Sequence, residues 1–263
     1  MLLQAKPSTI AHSLLLSTMV IGLTACSSTT STPLTETKPH QISPAVVYQT
    51  ESKEYPLLSS FVYQRAIAAL PQAFKEGDVV VMDVDETVLD NSQYQRERES
   101  QGLGYSSQSW NEWVMRKEAT LVPGVAAFLN EVVERNGKVA LITNRNKNLD
   151  SYTWDNLLAQ GLPLTPDNTC IIGRVAADKE AVGQEGMIND KDRRRAHLSN
   201  GTAICSINSD TAQWAKPHNI IMQIGDNIED FAGVTQESAE VDALLPQVGV
   251  SLFILPNPMY GSW

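Results

Sequence analysis

Histidine, cysteine and positive charge are all scarce in this 263-residue chain: four histidines, three cysteines, and 20 basic against 30 acidic side chains. Only His197 and His218 fall in the stretch composed like a folded domain. Neither sits in a motif, which leaves no basis for a histidine nucleophile or a histidine-rich zinc site. Cysteine catalysis has no partner residue either. Excess acid, with no basic stripe interleaved with aromatics, argues against a nucleic-acid polymer as partner. Neither a G-x-x-x-x-G-K-[ST] phosphate loop nor a G-x-S-x-G elbow occurs.

What is present is a set of carboxylates in a particular place. Val79 to Asn91 reads VVVMDVDETVLDN: a β-branched, apolar run ending in Asp83 and Asp85. Such a run predicts a buried strand, and its carboxyl end is where open α/β sheets place ligand crevices. An acidic pair there could simply favour a helix N-terminus, but bare buried carboxylates are costly and need pairing or a metal. Three further segments separate the two readings. Lys138 to Arg145, KVALITNR, is a second apolar strand ending in Thr143 and Asn144, which can hydrogen-bond a phosphoryl oxygen. Lys191 to Arg195, KDRRR, is a basic cluster. Ile220 to Phe231, IIMQIGDNIEDF, is a third strand leading through Gly225, which permits a tight turn, to Asp226 and Asp230. Carboxylates for a hard cation, a hydroxyl and a lysine are the parts that phosphoryl transfer needs. For Arg193 to Arg195 the expectation is a solvated helix face.

D-V-D-E-T-V-L-D-N-x-x-Y and I-G-D-N-I-E-D-F resemble the two signatures of the class C acid phosphatases, bacterial surface lipoproteins (the lipoprotein e family) of the haloacid-dehalogenase-like superfamily. T-N-R at Thr143 to Arg145 and the terminal L-P-N-P-M-Y-G-S-W extend the likeness, which covers most of the chain after about residue 45. The resemblance implies Asp83 as the nucleophile that takes the phosphoryl group. It implies Asp85 as general acid and base, with its backbone carbonyl on the metal. Asp226 would be the second carboxylate ligand of Mg2+ and Asp230 a supporting residue of that shell. Thr143 and Lys191 would hold phosphoryl oxygens. Oxygen-only ligands suit Mg2+ rather than zinc.

Strand-like and helical runs alternate. Helices are expected at Leu57 to Phe74, Pro123 to Asn136 (with Gly137 as its stop) and Leu149 to Gln160. Strands are expected at Val79 to Met82, Lys138 to Ile142, Thr169 to Ile172, Ile220 to Ile224 and Ser251 to Leu255. This alternation predicts an α/β fold, a parallel sheet flanked by helices. The polar insertion after the first strand, about residues 92–121, reads as a small α-helical cap. Tyr94, Trp110 and Tyr260, with Asn144, are the substrate-binding candidates. Trp110 and Trp113, three apart, could instead simply pack a helix face. Cys170 and Cys205 lie in apolar runs and could pair as one disulfide or stay as buried thiols.

Leu23-Thr24-Ala25-Cys26 resembles a bacterial lipobox after the apolar stretch Ile10 to Leu23, although an ordinary secretory signal also fits its thin charged start. On the lipobox reading, residues 1–25 are a signal peptide and Cys26 is lipidated, with Ser27 directing the protein to the outer membrane. Its removal takes only Lys6 and leaves 19 basic against 30 acidic residues. Residues 26–45, rich in Ser, Thr and Pro, form a tether, and 46–263 form one phosphatase domain. The expected function is a Mg2+-dependent acid phosphatase for small phosphomonoesters such as nucleoside monophosphates and aryl phosphates. The rivals are a same-fold phosphatase or phosphotransferase for other phosphate esters, and a non-catalytic binding lipoprotein. The sequence leaves a homo-oligomer open.

Overall fold

The computed structural model describes residues 40–263. The expected signal peptide, Cys26 and most of the tether lie outside the described residues.

Seven strands are present among them: β1 (Asp78–Met82), β2 (Leu89–Asp90), β3 (Thr120–Leu121), β4 (Val139–Asn146), β5 (Thr169–Arg174), β6 (Asn219–Gly225) and β7 (Leu252–Ile254). Five of them form one sheet in the order β5-β4-β1-β6-β7, with every pairing parallel. The chain builds outward from β1 on one side, through β4 and β5, then returns to build on the other through β6 and β7. The switch falls at β1, so its carboxyl end opens into a crevice.

A parallel sheet covered on both faces explains the near-continuous apolar strands. Alternate residues feed opposite cores. Val80, Met82, Leu141, Ile171 and Ile224 pack into the larger one, and Val79, Val81, Ala140, Ile142 and Ile172 into the smaller. The principal helices are α1 (Pro44–Glu51), α2 (Glu54–Ala69), α3 (Ser92–Ser100), α4 (Ser107–Arg116), α5 (Val125–Glu134), α6 (Asp150–Ala159), α7 (Ala176–Glu180) and α8 (Asp192–Ser199). Residues of α2, α5 and α6 cover the larger core, while Leu198 of α8 and Trp214 cover the smaller.

The differences from the expected boundaries have local causes. Helix α2 stops at Ala69 because Leu70 precedes Pro71 and takes an extended backbone. Helix α5 ends on Asn136, which takes the left-handed position (φ 58°) expected of Gly137. Gly137 then donates its N–H to Val132 O at 2.7 Å and Asn136 to Val133 O at 2.9 Å, the Schellman pair. Helix α1 begins at Pro44, two residues inside the expected tether, because Ser43 caps it and Pro44 fits its first turn.

Strands β2 and β3 pair antiparallel, Leu89 with Leu121 and Asp90 with Thr120, and form the neck of the excursion that carries α3 and α4. Trp113 of α4 is buried and donates to Asn91 Oδ1 at 2.8 Å, which fixes α4 to that neck.

Cys170 on β5 and Cys205 are disulfide-bonded with Cα atoms 5.1 Å apart, which settles the open pairing. The bond closes a loop of sequence separation 35 that contains α7 and α8. Reduction is therefore expected to lower the unfolding free energy by ~2–4 kcal/mol. Urea titrations with and without reductant measure it, and coincident midpoints would show the bond to be idle.

Candidate active site

Asp83 immediately follows β1, and its N–H donates to Ile224 O of β6 at 3.0 Å. Its carboxylate faces those of Asp226 and Asp230, with one oxygen from each of the three lying within 4.8 Å of the others. Asp226 follows β6 directly. Asp230 ends a short 3-10 turn, Ile228–Asp230, capped by Asn227. Gly225 makes this folding-back sterically feasible: a Cβ there would lie 2.0 Å from Asp230 Oδ2. Its role is close approach rather than the tight turn expected of it.

Lys191, just ahead of α8, is 5 % exposed and donates to Asp83 Oδ1 at 2.6 Å and to Asp230 Oδ1. Burial disfavours its charge, but Asp230 and Asp83 outweigh that and hold its pKa above the usual lysine value. The carboxylates respond the other way. Burial, reinforced by Asp230 and Asp85, pushes Asp83 up to about 7 despite the neighbouring Lys191. Burial, then Asp230 and Asp83, holds Asp226 well above the ordinary range. Ionised, the three acids and one lysine carry a net charge of −2 on oxygen donors, which fits a hard divalent cation.

Around this cluster runs a cleft of about 610 Å3. Asp85 lines it, and its Oδ1 accepts Arg145 Nε at 2.9 Å and Asn91 Nδ2 at 2.9 Å and lies 2.7 Å from Arg145 Nη2 in an ion pair. Thr143 is fully buried beside it, with Oγ1 3.5 Å from Asp85 Oδ2. Asn144 lines the cleft, and its Oδ1 accepts Arg194 Nη2 at 2.7 Å. Trp110 and Tyr260 line it.

Tyr94 does not line it. The ring is 2 % exposed, stands edge-on to Trp110 at 5.0 Å and bonds Ser109 Oγ through its hydroxyl, so it supports Trp110 from behind. The aromatic that reaches the cleft from the α3–α4 connection is Tyr105, 6.4 Å from Trp110.

The arginine cluster is also not a solvated face. Arg194 is buried, donates to Thr143 O and pairs with Asp178, and Arg195 is buried on Asp192 and Asn189. Buried guanidinium groups need several fixed acceptors, and the loops at the sheet edge supply them. Only Arg193, bound to Asp178 at 2.8 Å, stays partly exposed.

Sequence reasoning gave no role to Glu86, Thr87, Asn91, Tyr105, Arg145 or Asn257, although five of the six sit inside the motifs already singled out. Glu86 is fully buried with φ 54°. It accepts the N–H of Asn91 at 2.8 Å and its Nδ2 at 3.2 Å, and takes the Tyr260 hydroxyl, contacts that offset the backbone strain. Burial, with Asp85 and Asp90 nearby, keeps its carboxyl well above the ordinary range despite the Asn91 N–H.

The sheet, its acidic carboxyl edge and the overlying helical excursion define a haloacid-dehalogenase-like α/β hydrolase. Residues 8–263 match the family described as HAD superfamily, subfamily IIIB (acid phosphatase). The fold is similar to that of the class C acid phosphatase from Bacillus anthracis: 28 % identity, TM-score 0.64, over 83 % of this chain and 84 % of that one. A second structure of the class C acid phosphatase from Bacillus anthracis, with tungstate bound, matches at 27 % identity and TM-score 0.63 over the same shares. The chain belongs to the HAD superfamily, subfamily IIIB, and is an acid phosphatase acting on small phosphate esters.

The raised carboxyl of Asp83 has a consequence for the metal-free protein. Folded Asp83 keeps its proton up to about pH 7, while an unperturbed carboxyl releases it near 3.8. Between those values the folded state binds more protons, so stability falls as pH rises through the window. The melting temperature in EDTA is expected to be higher at pH 5 than at pH 7.5, with a smaller gap in Asp83→Asn. An equal gap in both proteins would contradict the assignment.

Proposed function

We propose that the protein is a Mg2+-dependent phosphomonoesterase that hydrolyses nucleoside monophosphates and aryl phosphates through an aspartyl-phosphate on Asp83. The observation that carries this is one cleft holding the Asp83–Asp226–Asp230 cluster with Lys191 at its floor and Trp110, Tyr105 and Tyr260 on its walls.

Asp83 Oδ attacks phosphorus, the ester P–O bond breaks, and Asp85 gives its proton to the departing oxygen. Asp85 then takes a proton from water as that water attacks the acyl phosphate, releasing phosphate and regenerating Asp83. The Lys191 ammonium, the Thr143 hydroxyl and the Asn144 amide hold phosphoryl oxygens against the repulsion between two anions. Asp83, the backbone carbonyl of Asp85, and Asp226 with Asp230 would hold the cation, which supplies charge neutralisation of the phosphoryl group.

The aromatic walls fit a flat leaving group. Stacking of a base on an aromatic side chain contributes ~1–3 kcal/mol, about 5- to 150-fold in preference over a sugar phosphate. On the sequence evidence of the lipobox-like segment, we place the enzyme on the outer membrane through a lipidated Cys26.

Phosphate release from p-nitrophenyl phosphate and a nucleotide panel at pH 5–6 tests the reading. Turnover is expected to require Mg2+, to vanish in EDTA and in folded Asp83→Asn, and to fall ~10²–10⁴-fold in Asp85→Asn. Turnover untouched by EDTA would sink the metal assignment. Tyr105→Ala and Tyr260→Ala are each expected to cut kcat/KM for nucleotides about tenfold more than for sugar phosphates. Equal losses on both substrate classes would remove the stacking role.

A further inference from the structure

The C-terminal segment reaches the cluster by a route that the phosphatase reading does not use. Leu255 N–H donates to Gly225 O at 2.8 Å and pins the chain beside the end of β6. Two residues on, Asn257 Nδ2 donates to Asp226 Oδ2 at 2.8 Å. The other oxygen of Asp226 accepts Thr87 Oγ1 at 3.2 Å. Two of the roughly four acceptor positions of this carboxylate are thus occupied by donors from the loop after β1 and from the C-terminal segment, which fixes its plane.

The orientation of the Asn257 amide follows from its neighbours. Its Oδ1 accepts the N–H of Met259 at 2.9 Å and, more weakly, that of Tyr260 at 3.4 Å. An atom receiving two backbone N–H groups must be the oxygen, so the NH2 is the half turned to Asp226. The segment is held further along by the Tyr260 hydroxyl on Glu86 and by Ser262 Oγ, which donates to Asn227 Oδ1 at 2.7 Å. An aspartate in place of Asn257 would offer no N–H and would set a fourth acid against the cluster.

We infer that Asn257 is a positioning residue for the metal ligand Asp226, so that the C-terminal segment contributes to cation affinity as well as to the pocket wall. This rests on the metal reading of the Asp83–Asp226–Asp230 cluster. Partners that orient a metal's ligands typically change its affinity 10–100-fold when removed.

Titration calorimetry of MgCl2 into EDTA-treated, dialysed protein tests it with four chains: wild type, Asp226→Asn, Asn257→Ala and Asn257→Ser. Serine keeps a short acceptor for the turn at Met259 but cannot reach Asp226, so it separates turn stability from ligand orientation. The expected result is a Mg2+ Kd about 10–100-fold weaker in both Asn257 variants, with the Asn257→Ser melting temperature in EDTA close to wild type. The Mg2+ concentration giving half-maximal turnover should rise by the same factor, with maximal turnover recovered at saturation. Binding by Asn257→Ser within about threefold of wild type, while Asp226→Asn loses it, would overturn the inference and leave the metal reading standing. Undiminished binding by Asp226→Asn would overturn the metal reading and this inference with it.

Discussion

The ammonium of Lys191, shared between Asp83 and Asp230, is the interaction on which the rest of the site depends. Three carboxylates converge at the end of β1, where water is largely excluded, and their mutual repulsion is relieved by this one buried cation. Burial first, and then the neighbouring carboxylates, drive Asp83 and Asp226 toward their protonated forms, and one lysine does not offset them. A divalent cation would bring the ionised cluster from −2 to neutral and so let an anionic phosphoryl group approach. On the proposed reading, burial that would be a liability in a structural ion pair becomes the source of affinity for a cation, and of the low dielectric in which fixed donors act strongly on a phosphate.

The surrounding structure serves to bring chain-distant groups to that point. Parallel order places the ends of β1, β4 and β6 side by side. Gly225 lets Asp230 fold back over β6. Arg145, next to Asn144 on β4, holds Asp85 with two nitrogens and lies 5.9 Å from the ring of Trp110. The same guanidinium thus touches the acid at the sheet edge and the aromatic wall carried by α4. Glu86 accepts hydrogen bonds from Tyr260 and from Asn91 at the neck of the excursion, so the loop after β1, the excursion and the C-terminal segment share one buried carboxyl.

The strands and their order of chemistry were legible because they rest on short-range rules. Apolar runs at Val79 to Met82 and Lys138 to Ile142 read as strands, and the residue following each apolar run had to face the crevice. What escaped depended on contacts between segments far apart in sequence. Three consecutive arginines look like a solvated face until loops at the sheet edge supply Thr143 O, Asp178, Asp192 and Asn189 to bury two of them. Tyr94 and Tyr105 lie in the same insertion, and only the packing of α3 against α4 decides that the first goes behind Trp110 and the second beside the cleft. The pairing of Cys170 with Cys205 likewise needed the path of the chain beyond α8 to bring Cα atoms within 5.1 Å. Asn257 lay inside a quoted motif, but its donation to Asp226 spans 31 residues and no local pattern encodes it.

The most direct measurement is chemical capture of Asp83 during turnover. Enzyme mixed with p-nitrophenyl phosphate and Mg2+ is quenched in denaturant, treated with borohydride, digested and analysed by mass spectrometry. An acyl phosphate on Asp83 would be reduced to the alcohol, so the peptide spanning Val79 to Asn91 should appear with Asp83 converted to homoserine, dependent on substrate and metal. Full turnover with that peptide unmodified, or with the reduced residue at Asp85 or Asp226 instead, would contradict the account.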